Sequence, residues 1–386
     1  LTDKFENIPG ECQATLELDN NKVLYKETGT EKKACLDITP DIISHNKAEE
    51  FSLDLSQIQW LIPENVTDPP DIILLSEMLG TSTLDDLPIE KYWDGNYPFG
   101  YLRAPVGRFS PTSDLVFDLN ENPEKASMES HGPHGVIGGM TGSGKSELLR
   151  TIILSLAITH HPYDVNFALI DYKGGGAFKD LENLPHVVGV ITDIESNANF
   201  AGRVIQSLTG EVNTRKHILA QAKLDRLHID DYKKLPLKRP LPRLIIIFDE
   251  FAEFKDQHPD ESRKLINIAR QGRSLGIHLI LCTQNPTTAI DAQVKQNSKF
   301  TIALGVNSPE DSRNLIGIPD AFGLNQGKGY IFVKSPQKFQ VAFTGNRLSN
   351  GAYAGENEAS AIVSVITNTV EKLNILLPPK VWPSPL

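Results

Sequence analysis

A chain of 386 residues with 40% apolar and 23% charged side chains is too long for one small domain and too apolar to be disordered. Its 38 basic and 49 acidic residues leave a net charge of −11, which argues against nucleic acid as the obvious partner and leaves only a local basic lining as a route to one. No apolar run approaches the roughly 20 residues that cross a bilayer, and three scattered cysteines, Cys12, Cys35 and Cys282, suit a reducing compartment rather than a disulfide framework or a zinc site. The chain opens on Leu1 without a charged-then-apolar leader, so it reads as a piece of something longer.

Near the start, Cys12–Leu18 and Lys22–Thr28 alternate apolar and polar side chains around Asp19-Asn20-Asn21, the pattern of a hairpin. Asn46 is placed to cap a short helix through Leu55, with Ala48, Phe51 and Leu55 at helical spacing. A polar, proline-containing stretch follows from Pro63 to Pro70. Residues 71–130 carry turn signals and one strand candidate, Leu115–Leu119.

From His131 the texture changes. Strand-like runs at Gly135–Gly139, Phe167–Asp171, Val187–Thr192, Leu244–Asp249, Ile277–Thr283 and Phe300–Val306 alternate with helical stretches such as Ser146–Thr159, Ala198–Gln221 and Glu261–Ser274. This alternation predicts a mainly parallel sheet covered by helices on both faces. Two further strands, Gly329–Val333 and Phe339–Phe343, are expected to end the sheet. Ala359–Leu373 then reads as a closing helix and the proline-rich Leu377–Leu386 as an extended exit.

The segment Gly139-Met140-Thr141-Gly142-Ser143-Gly144-Lys145-Ser146 fits the P-loop pattern, follows an apolar strand and opens a helix. Its glycines let backbone N–H groups curl around phosphates, and the helix N-terminus adds partial positive charge. Lys145 is the candidate for the β/γ oxygens, the Ser146 hydroxyl for Mg²⁺, and Glu147 completes the nucleotide-binding turn. The acidic partner is Arg243–Glu250, a β-branched run ending in two carboxylates. Asp249 is the candidate to hold Mg²⁺ and Glu250 the candidate general base, which points to nucleotide hydrolysis rather than binding alone, with no motif that separates ATP from GTP. Gln284, closing the next strand, is the candidate to contact the γ-phosphate or the lytic water; a turn or capping role competes. Lys173, beside three glycines, is either a nucleotide sensor, a contact for a neighbouring subunit or part of a plain loop. Among arginines near element ends, Arg273 leads Arg270 and Arg313 as a candidate to reach a neighbouring subunit's phosphates. The ten histidines show no metal-ligand spacing, and His131 and His134 read as structural.

Taken together, His131-Gly132-Pro133-His134-Gly135 before the P-loop, Ser146–Thr151, Asp171–Gly176, Leu184–Gly189, Asp249–Glu253, Gly272–Leu279 and Asp311–Arg313 resemble the FtsK/SpoIIIE branch of P-loop motor ATPases, and within it the EccC/EssC ATPases of type VII secretion systems. Trp93–Asn120 and Trp382–Leu386 resemble the flanks of that family's first ATPase domain, and the N-terminal unit resembles its connector to the membrane-proximal part. The resemblance implies a RecA-like P-loop NTPase fold. It implies a motor at the cytoplasmic face of the cell membrane that binds ATP and Mg²⁺, self-associates into a hexameric ring, works with further ATPase domains of the same polypeptide and a membrane secretion complex, and exports small WXG-type proteins. It also implies a first ATPase held at low activity by the next domain. The expected organisation is a small α+β unit over residues 1–60, a linker over 61–99, the ATPase domain over 100–350, and a closing helix with a proline-rich linker over 351–386.

One departure stands out. Relatives carry arginine at the positions of Thr301 or Gly305, so any trans arginine would have to come from elsewhere, such as Arg273 or Arg313. A DNA translocase of the FtsK type is the rival within the fold; the acidic charge disfavours it, because DNA pumping requires Lys/Arg loops tracking phosphates. A nucleotide-binding assembly module with little turnover is the rival outside it, favoured by Thr301 and Gly305 and opposed by Glu250.

Overall fold

The computed structural model describes residues 69–377, apart from 82, 121–129, 175, 196–197, 237–238, 346–347, 349–351 and the side chains of 198–199, together with the backbone of three N-terminal strands. The chain divides into two compact units, Leu1–Glu64 and Asn65–Leu386. In the first, β1 (Ala14–Asp19), β2 (Lys22–Glu27) and β3 (Lys33–Leu36) form an antiparallel sheet in sequential order. Asp19 faces Lys22 across the turn, as the alternation predicts. The helix expected from Asn46 to Leu55 lies outside the described residues.

The second unit is built on ten strands. They are β4 (Arg103–Ser110), β5 (Ser113–Asp118), β6 (His134–Gly138), β7 (Val165–Asp171), β8 (Val187–Thr192), β9 (Arg243–Asp249), β10 (Ile277–Thr283), β11 (Phe300–Leu304), β12 (Lys328–Phe332) and β13 (Pro336–Val341). Their order is β5-β4-β13-β12-β11-β6-β10-β9-β7-β8. The six from β11 to β8 run parallel, and β12, β13, β4 and β5 extend the sheet antiparallel. The expected α/β sheet is therefore present, in the RecA-like arrangement. Strand β4, for which the sequence carried no clear signal, pairs with both β5 and β13.

Strand β9 shows why these runs become buried strands. All seven of its residues are buried, and the period-2 alternation sends Ile245 and Ile247 into one core and Leu244, Ile246 and Phe248 into the other. Two apolar layers, one on each face, leave β9 no solvated side, so a continuous apolar run is required rather than a half-polar one. Eight helices matter to the site and its support: α1 (Leu75–Met78), α2 (Ile89–Trp93), α3 (Lys145–Thr159), α4 (Ala198–Gln221), α5 (Phe251–Gln257), α6 (Pro259–Gly272), α7 (Pro309–Ile316) and α8 (Glu358–Lys372). Helix α3 is buried on nearly every side. Its hydroxyls are satisfied where they sit: Thr151 donates to Ala342 O at 2.7 Å and Ser155 to Pro105 O at 2.7 Å.

The stretch expected as a linker over 61–99 is corrected in its second half. Ile73, Leu75, Met78, Leu84, Ile89 and Trp93 are buried in the core that covers α3. Phe343 N–H donates to Ile73 O and Leu75 N–H to Phe343 O, while Trp93 Nε1 donates to Ala157 O at 3.2 Å. The closing helix α8 is likewise part of this body, with Ala361, Ile362 and Ile366 fully buried in the same core. Apolar spacing too short to show helical periodicity, in α1 and α2, is what hid this segment in the sequence. Among the described residues no helix is long and apolar enough to cross a membrane.

Candidate nucleotide site

Strand β6 sits between β10 and β11, and the chain leaves it for β7, three strands away beyond β10 and β9. Its carboxyl end is therefore a place where the sheet opens a crevice. Residues 139–144 turn there into α3. Gly139 N–H donates to Thr283 O at 3.1 Å, Met140 N–H to Gly305 O at 2.8 Å, and Gly327 N–H to Ser143 O at 2.9 Å, so three neighbouring strand ends hold the loop. Gly144 has φ 101°, and a Cβ there would lie 3.1 Å from Gly327 N, so both its backbone angle and its surroundings call for glycine.

Within the resulting cleft of about 510 Å³, Lys145, Asp249 and Glu250 form a buried cluster. Lys145 Nζ donates to Asp249 Oδ1 at 2.7 Å and to Glu250 Oε1 at 2.6 Å, and the three residues are 6%, 6% and 5% exposed. Burial works against the Lys145 ammonium, but Asp249 and Glu250 outweigh it and hold its pKa above the ordinary lysine value. Burial pushes Asp249 up, and Lys145 offsets part of that rise. Glu250 adopts a left-handed backbone, φ 57° and ψ 44°, at the start of α5, a conformation that costs a non-glycine residue free energy and that points its carboxylate back to Lys145.

Gln284, just past β10, joins this cluster. Its Nε2 donates to Glu250 Oε1 at 2.6 Å, and its Oε1 accepts from Thr141 Oγ1 at 2.8 Å. The P-loop, the strand-end carboxylates and Gln284 are thus one hydrogen-bonded unit. Met140, Gly142, Gly144, Ser146 and Glu147 also line the cleft, with Ser146 exposed. Glu147 is engaged outside the phosphate turn: Oε1 accepts from Thr344 N–H at 2.5 Å and Oγ1 at 2.7 Å, and Oε2 from Arg150 Nη1 at 2.7 Å.

Asp171 and Gln326 line the cleft as well, and the sequence had marked neither for it. Asp171 lies beside Asp249 in register, its Oδ1 accepting Gly174 N–H at 3.0 Å and its Oδ2 accepting Ala177 N–H at 3.3 Å. Its place closing an apolar strand just before three glycines was the available signal. Gln326 sits in a loop before β12 with no motif around it. Lys173 is paired with Glu253 at 2.6 Å.

The structure does not bring Arg273 to this cleft. It precedes β10, whereas Gln284 follows it, and seven strand residues put roughly 20 Å between the two ends. The side chain at Thr301 donates to Leu315 O at 2.5 Å, and the Gly305 carbonyl is the one that holds Met140 N–H. Thr301 and Gly305, the two positions singled out in the sequence as lacking arginine, thus make local backbone contacts here. His131 and His134 are buried and structural: His131 Nδ1 accepts from Asp118 N–H and His134 Nδ1 from Leu279 N–H, each at 3.0 Å. Among the described residues no His, Cys, Asp and Glu cluster is arranged to hold a metal by itself.

The residues present fit a magnesium nucleotide. A glycine-rich turn leads into a helix N-terminus, a buried ammonium lies beneath it, and Ser146 and Asp249 offer the hard oxygen donors that Mg²⁺ takes. Fold and site define a RecA-like P-loop nucleotide-binding domain. Residues 103–288 match the FtsK/SpoIIIE family model. The chain is 39% identical over 308 residues to the ESX secretion system protein YukB of Bacillus subtilis, an alignment covering 78% of this chain and 20% of that protein. It is 35% identical over 354 residues to the type VII secretion system protein EssC of Staphylococcus aureus, covering 89% and 23% respectively. The cytoplasmic domain of the Thermomonospora curvata type VII secretion ATPase EccC superposes with a TM-score of 0.73 at 30% identity, covering 82% of this chain and 36% of that one. The chain therefore carries an FtsK/SpoIIIE-family ATPase domain, of the kind found in the EccC and EssC proteins. It spans about a fifth of the length of the curated relatives it matches.

Proposed function

We propose that this chain is an ATP-hydrolysing motor domain of a type VII protein secretion ATPase. The observation that carries this reading is the unit formed by Lys145, Asp249, Glu250 and Gln284 at the carboxyl ends of β6, β9 and β10. In it, the backbone of Gly139–Ser146 binds the phosphates, Lys145 neutralises the β- and γ-oxygens, and Ser146 and Asp249 hold Mg²⁺. Bound Mg²⁺ supplies charge neutralisation across the phosphates. Glu250 orients the attacking water and takes its proton as the γ-phosphoryl group leaves ADP. Gln284 sits within reach of both Glu250 and the P-loop hydroxyl of Thr141, which suits a contact to the γ-phosphate or the water.

Lys145 Nζ contacts both acids, so the ammonium that neutralises the phosphates is the same one that pairs with Asp249 and Glu250. Arg273, at the far end of β10, is placed away from its own cleft and serves only if a neighbouring subunit in a ring receives it.

The similarity to YukB, EssC and EccC supports the wider setting: a ring, a hexamer by analogy, acting with further ATPase domains and a membrane secretion complex on exported WXG-type proteins. The second reading, a binding module with little turnover, draws on Thr301 and Gly305, whose local bonds leave no arginine at those places.

The deciding experiment measures ATP turnover of wild type and Glu250→Gln over a wide protein concentration range, alongside mass in solution. A motor domain gives turnover that rises with self-association and falls about 10²-fold or more in Glu250→Gln. Binding without turnover at every concentration supports the silent module, and no ATP binding at all refutes both.

A further inference from the structure

The first turn of α3, which carries Lys145 and Ser146, is gripped from outside the nucleotide cleft. Glu147 was expected to face the nucleotide, yet both its oxygens are occupied by protein. Oε1 accepts two hydrogen bonds from one residue, Thr344, through its backbone N–H and its hydroxyl, and Oε2 accepts from Arg150. Thr344 is fully buried. On its other side, its carbonyl accepts Ala359 N–H at 3.0 Å, in the first turn of α8. The same turn of α8 is fixed by Asn357, whose Nδ2 donates to Gly345 O at 3.1 Å, and by buried Glu358, whose Oε1 accepts Ser76 N–H at 2.9 Å.

From this chain of contacts we infer that Thr344 is a positioning residue for ATP: it sets the first turn of α3 through Glu147 and ties that turn to the start of α8. The inference rests on the nucleotide reading of the cleft above. Lys145 and Ser146 immediately precede Glu147, so rotation of the Glu147 carboxylate out of its two-point contact turns the residues that face the phosphates. Two hydrogen bonds from a fully buried residue converging on one oxygen of a half-buried carboxylate favour a single orientation of that turn. Because the contact is shared, ordering of the turn by nucleotide must order the start of α8, and loosening α8 must weaken nucleotide binding by the same factor.

The test compares wild type, Thr344→Val and Thr344→Ser, measuring ATP affinity with the Glu250→Gln substitution present to suppress turnover. Hydrogen exchange of residues 342–363 is followed with and without ATP. Thr344→Val keeps the backbone donor and near-equal volume but loses the hydroxyl. It should bind ATP about three- to tenfold more weakly, the loss expected when only part of one hydrogen bond to the Glu147 carboxylate is transmitted to the phosphate turn. Thr344→Ser should restore wild-type affinity, and ATP should protect the amides at 359–361 in wild type and Thr344→Ser but less in Thr344→Val. Wild-type affinity and protection in Thr344→Val overturn the inference. A loss that serine fails to restore also overturns it, since that marks packing rather than the hydroxyl. Lys145→Ala serves as the reference: if it leaves ATP affinity intact, the cleft itself has been misassigned, whereas a neutral Thr344→Val beside a dead Lys145→Ala refutes this inference alone.

Discussion

At the scale of single residues the site turns on one ammonium between two buried carboxylates. Removing one member of such a cluster leaves uncompensated charge behind, and the cost of a broken buried pair is about 3–5 kcal/mol. Lys145→Ala should therefore do two things: abolish most ATP binding, and lower the melting temperature, because Asp249 and Glu250 then sit buried without their cation. Titration with a fluorescent ATP analogue and a thermal melt check both; unchanged affinity contradicts the assignment. Lys145, Asp249 and Glu250 were legible in the sequence because a phosphate turn and an acidic strand end each have a local signature. The contact between Thr141 and Gln284 was not, since it joins residues 143 positions apart. Arg273 illustrates the reverse case: its chemistry suited the role, but a strand's length separates it from the cleft of its own chain.

Elements decide how tightly the P-loop strand can be seated. Gly135 is the second residue of β6, and a Cβ there would meet the Phe300 ring at 2.3 Å. Gly135→Ala must push that ring out of a well-packed core, a cost of about 1–3 kcal/mol, and because β6 carries the P-loop, nucleotide affinity should fall with it. A urea titration and ATP binding measured together test this, and unchanged stability contradicts the packing account. The segment over residues 71–99 makes the second element-scale point. A chain started at residue 100, the expected boundary, strips Ile73, Leu75, Met78, Ile89 and Trp93 from the core over α3. It should express poorly or melt well below a chain started at residue 65, as differential scanning fluorimetry of the two would show.

For the whole molecule, buried histidines govern the response to acid. Burial lowers His131 and His160 from an ordinary 6.5 to about 4, and His134 and His186 to about 3. These rings stay neutral in the folded chain but take up protons on unfolding below about pH 6.5. Their contribution is thus complete above that pH and is lost as pH falls toward 3–4, at about 1.4 kcal/mol per pH unit for each ring. The urea midpoint should drop steeply between pH 7 and pH 5, and a flat profile contradicts this. The net charge of −11 grows less negative over the same range, so relief of acidic self-repulsion opposes the trend without reversing a sum over four rings.

By itself the sequence determined the sheet class, the phosphate turn, the acidic strand end and the family, because each is written in a local pattern: a period of two in buried strands, glycines at set spacing, carboxylates closing a β-branched run. It also placed the closing helix within two residues of Glu358–Lys372. Only the tertiary structure decided which strands are neighbours, that residues 71–99 and α8 belong to the ATPase body, that Gln284 joins the cluster, that Arg273 lies a strand's length from it, and that Glu147 belongs to Thr344. Those outcomes depend on contacts between residues dozens to hundreds of positions apart, and the free energy of such contacts exists only once the sheet has brought them together.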